Sequence, residues 1–180
     1  MGLFDLFKRS KIHTMSEFST CANATDGLAM LPGLIEHIMD VVLRASIQFY
    51  RDIHSHEAGP FPRVKDEFFY LVFFIAEQRI QSLFPAEASI SALNDAASSR
   101  LSAIDRSFSR DEFWDAYLVR KKAYSAPHLQ VDDLQMKAAN TLPYIFSGFL
   151  QRHLDCPEAI VRHHALQMAG EAILMLEGCK

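Results

Sequence analysis

Apolar residues recur along most of the chain with a helical period. Leu34, Ile38, Val41, Val42, Ala45 and Phe49 step by three and four through the stretch 32–54, which predicts a helix with one buried stripe. Pro32 suits the first turn of that helix, where its missing N–H is not needed, and HEAGPFPR breaks the chain after it. The next helix, over 64–84, contains FFYLVFFIAEQRI, apolar on every side for two turns and then polar. A helix without a polar face has to be surrounded, so this one is predicted to lie at the centre of a bundle. Strand is the competing reading of so Phe-rich a run. Lys65-Asp66-Glu67 before it and Glu77-Gln78-Arg79 after it carry helical composition well past strand length.

Beyond Pro85 a third helix is predicted over 86–108, with Ile90, Leu93, Ala97, Leu101 and Ile104 inward. Ser109 with Glu112 forms a capping-box pattern and opens a fourth helix to Tyr124, with Phe113, Tyr117 and Leu118 inward. The stretch 131–153 carries Pro143 in its interior, where proline removes a backbone bond and collides with the preceding turn. A kink or a two-piece helix near Asn140-Thr141 is predicted there. Asp155 as cap, followed by Pro157 and Glu158, starts a last helix to about Glu177, in which Glu158 and Arg162 pair four residues apart. With only 7 glycines and no hairpin turn signal, the expected fold class is all-α. The expected architecture is a single-domain bundle of about six helices around the Phe-rich one.

The first thirty residues read differently. Thr14 to Asp26 is rich in Ser, Thr, Ala and Asn without apolar periodicity, which reads as a linker or a loosely docked arm. The expected division is therefore 1–30, an N-terminal amphipathic segment and linker, and 31–180, the helical domain. Ahead of the linker, Leu3, Phe4, Leu6 and Phe7 form one apolar face, followed at once by Lys8, Arg9 and Lys11. Two turns do not hold as an isolated helix, so such a segment gains order by docking. Its candidates are the chain's own bundle or a second copy, a groove on another protein, or, weakly and peripherally, a membrane. Leu3, Phe4, Phe7, Lys8 and Arg9 are the candidate partner-binding residues.

Composition narrows the function class. Apolar residues at 49% and charged residues at 22% suit an ordinary globular chain, and the net charge of −4 argues against a general nucleic-acid binder. Cys21, Cys156 and Cys179 fit neither a disulfide framework nor a paired-cysteine zinc site, so a reducing cytoplasm is expected. No apolar run approaches the roughly 20 residues that cross a bilayer.

Candidate chemistry is sparse. No histidine has an acid three residues before it, which removes the di-iron bundle motif. His54 and His56 point to opposite sides of a helix, and His163 and His164 diverge by about 100°, so no metal or other cofactor is expected. Gly-x-Ser-x-Gly, phosphate-loop and dinucleotide-loop patterns are all missing, and no catalytic residue is assigned. Glu77 follows directly on the apolar run and would act as a base if buried, but Gln78, Arg79 and Gln81 place the helix as emerging into water there. Cys156 precedes a helix start, where a thiolate is stabilised. A bent helix at Pro143 would open a pocket, and Asn140, Thr141 and Tyr144, with Glu77, are its candidate ligand residues. The expected function is a non-enzymatic protein–protein interaction module (inhibitor, immunity or adaptor-like) of a bacterial-type cytosolic protein, partnered by another protein or a second copy. The alternative is a small-ligand- or metal-binding helical protein, an enzyme included, with its pocket near Pro143.

Overall fold

A computed structural model describes residues 12–21, 24–53, 61–84, 87–105, 108–125, 142–154 and 156–178. Seven helices and no strand occur among them: α1 (Met15–Phe18), α2 (Ala24–Asp52), α3 (Phe61–Leu83), α4 (Glu87–Ile104), α5 (Arg110–Tyr124), α6 (Leu142–Gln151) and α7 (Glu158–Glu177). The protein is an all-α bundle, and the Phe-rich helix is its axis. Residues 67–74 of α3 are all buried, and the helix packs against α2, α4, α5, α6 and α7. Phe68 meets Phe49 of α2 at 5.5 Å and Phe146 of α6 at 5.0 Å between ring centroids. Phe73 meets Trp114 and Tyr117 of α5 at 5.4 and 5.3 Å. Each such side chain contributes about 1.5–3 kcal/mol on full burial. α3 therefore organises the core through its whole circumference, which is why it has no polar face.

Two local expectations are corrected. The stretch 14–26 is firmly docked, neither a linker nor a loose arm: Thr14 and Glu17 close a capping box around α1, and Met15 and Phe18 are buried in the common core. Phe18 stands edge-on to Phe84 at 5.7 Å, and a Cβ on Gly27 would lie 3.0 Å from the Phe84 ring, so a larger residue there would require the ring to shift. One turn is too short to display a period, and its apolar pair passes unnoticed in the sequence. Helix α2 also begins eight residues ahead of Pro32, which lies inside it. Pro32 and Leu28, the residue whose carbonyl the proline leaves without a helical donor, are both on the exposed side of α2.

Pro143 is the second described residue of α6, which runs uninterrupted from Leu142 to Gln151. Residues 126–141 lie outside the described residues, and with them Asn140, Thr141 and the proposed first half of that helix. Ser109 does stand at the N-cap of α5, but its side chain makes no cap bond. Pro157 occupies the cap position of α7, and Asp155 lies outside the described residues. Gly178 ends α7 at φ 82°, where a Cβ would fall 2.9 Å from Thr14 Cγ2, so the helix end closes tightly on the start of α1. No helix among the described residues is long and apolar enough to cross a membrane.

Candidate functional site

Two carboxylates are buried on α3, ten residues and so about 15 Å apart along the helix. Glu67 and Glu77 are each 1% exposed. The expectation that the helix reaches water at Glu77 is incorrect, because α5 crosses α3 there and covers it. Tyr117 donates its hydroxyl to Glu77 Oε2, and Lys121 Nζ lies 2.6 Å from Oε1. Both oxygens are thus occupied by donors. Burial, and then the charge and hydrogen bond of Glu77, push the Tyr117 hydroxyl well above the ordinary tyrosine range. Lys121, about a third exposed, connects this pair to solvent.

Glu67 has a fuller set of partners. Arg120 grips it in a fork, with Nη2 on Oε1 and Nε 3.1 Å from Oε2, while His153 Nε2, just past the end of α6, lies 3.0 Å from Oε1. Arg120 also caps Ala116 through its carbonyl and stacks over the rings of Tyr70 and Phe149, at 5.1 and 4.9 Å. Burial alone would lower the Arg120 pKa; the bond and charge of Glu67 reverse that, and the guanidinium stays charged. The cluster ties α3, α5 and the end of α6 together. Tyr124, at the last turn of α5, has a buried hydroxyl with no hydrogen-bond partner among the described residues, and burial raises its pKa.

The residues singled out from sequence do not converge. Tyr144 carries Arg162 over its ring at 4.2 Å and shares none of Glu77's partners. Leu3, Phe4, Phe7, Lys8, Arg9, His54 and His56 lie outside the described residues, as do Asn140 and Thr141. Cys156 is buried in the core, which withdraws its thiol from solvent. Among the described residues no group of three or more His, Cys, Asp or Glu could hold a metal.

The sequence reading missed the Glu67, Arg120 and His153 cluster. A signal for Glu67 was present: it lies three residues after Val64 and four before Leu71, on the same buried stripe. Grouping it with Lys65 and Asp66 as a charge run hid that position.

Open apolar space is found instead along the outer side of α2. A hollow of about 430 Å³ lies between α2, the start of α3 and the end of α4, lined by Met39, Leu43, Lys65, Arg100 and Ile104 among others. Leu43 is 46% exposed and Ile104 52%, although the helical period of α4 had placed Ile104 inward. A second hollow, of about 390 Å³, lies between α2 and the end of α7, against His37, Val41 and Met175. Both hollows are bounded by Ile12, itself 57% exposed, and by Asp40 and Arg44, whose side chains pair at 2.9 Å. Across the first hollow, Arg100 of α4 holds Glu36 of α2 at 2.9 Å. The result is an apolar floor with a rim of paired charges.

Compared with protein families, with curated proteins and with solved structures, the chain matches none.

Proposed function

We propose that the protein is a non-enzymatic protein–protein interaction module, and that it receives an amphipathic helix of its partner in the groove between α2 and α4. One observation carries this reading: three large apolar side chains, Ile12, Leu43 and Ile104, stand half-exposed around one hollow, rimmed by the Glu36–Arg100 and Asp40–Arg44 pairs. An apolar floor with a polar rim is the arrangement that receives an amphipathic helix, whose anchors recur every three or four residues and whose flanking charges meet the rim. Burying three such side chains contributes about 1.5–3 kcal/mol each before ordering costs.

The alternative, a small-ligand or metal site beside Pro143, has less support. Both oxygens of Glu77 are taken by Tyr117 and Lys121, and Tyr144 packs under Arg162 rather than beside them. The test is a comparison of complexes isolated from the native source through the tagged chain and its Leu43→Asp and Leu174→Asp variants. Leu174 is somewhat more exposed than Leu43 but lies on α7 and does not line the hollow. A protein retained by the parent and by Leu174→Asp, and lost from Leu43→Asp, supports the groove. Equal retention by all three, or no retained protein, refutes it.

A further inference from the structure

The groove and the amphipathic segment meet in the chain at Ile12. We infer that in the free protein the groove is filled by the protein's own segment 1–11, which a partner must displace. The competition rests on the function proposed above; the occupancy does not.

The argument begins with the anchor. His13 donates its backbone N–H to the Gly33 carbonyl at 3.3 Å, Thr14 caps α1, and Met15 and Phe18 are in the core. The chain is therefore held against α2 immediately after residue 12, and Ile12 already forms a wall of both hollows. Whatever precedes Ile12 starts at the groove. The segment outside the description is 11 residues long, at most about 40 Å when extended. The α2 wall of the first hollow, from Glu36 to Arg44, covers about 12 Å. Length is no obstacle.

Chemistry matches as well. The segment carries Leu3, Phe4, Leu6 and Phe7, four large apolar side chains, and the groove presents Met39, Leu43 and Ile104 to receive them. The rim sets Glu36 and Asp40 against Arg44, Arg100 and Lys65, so the match is made by the apolar side chains rather than by Lys8, Arg9 and Lys11. A short tether sets an effective concentration in the millimolar range, so even a weak apolar contact fills the groove until a better ligand arrives.

The test places a photoreactive phenylalanine analogue at Phe4 in the full-length chain, alone and with Leu43→Asp, after circular dichroism has shown both folded. Irradiation of the isolated, dilute protein is expected to give cross-links within one chain to Met39, Leu43 or Ile104, with a yield at least about tenfold lower in the Leu43→Asp chain. Cross-links between two chains whose yield rises with concentration, adducts elsewhere on the bundle, or a yield unchanged by Leu43→Asp overturn the inference. No partner is present in this experiment, so its failure is separate from failure of the partner-binding reading. Where a partner is in hand, adding it should depress the same cross-link.

Discussion

Removing Arg120 should be among the most damaging single changes to the fold. Arg120→Ala deletes both arms of the fork on Glu67 and leaves a carboxylate 1% exposed with His153 as its remaining partner. Breaking a buried pair from one side costs about 3–5 kcal/mol, and the contacts with the Tyr70 and Phe149 rings are lost as well. Because His153 stays, the lower end is expected, about 3 kcal/mol. For a chain of this size that is a fall of about 6–12 °C in Tm, at about 2–4 °C per kcal/mol. In urea it is a midpoint shift of about 1.5 M at an m-value of about 2 kcal/mol/M. The companion variant, Glu67→Gln with Arg120→Met, removes both charges while keeping the volume, and should cost less than Arg120→Ala alone. If Arg120→Ala lies within about 0.5 kcal/mol of the parent, or if the double variant costs the sum of its two singles, the cluster does not hold the helices together as described.

Tyr70, Tyr117 and Tyr124 are all raised, mainly by burial, so the folded state keeps protons that the unfolded chain releases near pH 10. Stability should therefore fall as pH rises through about 10, with tyrosinate absorbance from these three appearing only as the fold is lost; early, non-cooperative ionisation would contradict their burial. Asp66 is also raised, by burial acting against Lys65 and Arg63, so its ionised form costs stability at neutral pH and that cost vanishes as pH falls below about 4. Asp66→Asn should then be at least as stable as the parent at pH 7, with the difference narrowing in acid, as measured by urea midpoints at both pH values. Gly178→Ala should lose at least about 1–2 kcal/mol, because alanine pays for the left-handed φ of 82° and its Cβ meets Thr14 at 2.9 Å; a midpoint equal to the parent's would show that the end of α7 relaxes freely.

The all-α class and the central helix were legible because they depend on patterns many residues long. FFYLVFFIA has no polar face, and a helix of that kind has one place to go. What escaped was set by single turns or by partners distant in sequence. The Thr14–Glu17 capping box has the Thr-x-x-Glu pattern on its face, yet α1 is one turn long and its Met15 and Phe18 show no period. The pattern at Ser109 and Glu112 had the same form, and there the serine makes no cap bond. Leu118 was expected inward with Tyr117, but it is 100° further round α5 and faces solvent. The covering of Glu77 by Tyr117 and Lys121 links residues about forty apart, and no local reading of Glu77-Gln78-Arg79 contains it. His163 and His164, adjacent on α7, differ in the same way: His164 is half-buried and His163 exposed.

The central claim is that this protein works by holding another through the α2–α4 groove. Its most direct test is the mass of the complex purified from the native source, measured under native and then denaturing conditions, for the parent and for Leu43→Asp. The account predicts a heavier native species that contains a second, different protein in the parent and the bare chain mass in the variant. A bare chain mass in both, or a small excess that denaturation removes and Leu43→Asp leaves unchanged, would contradict it.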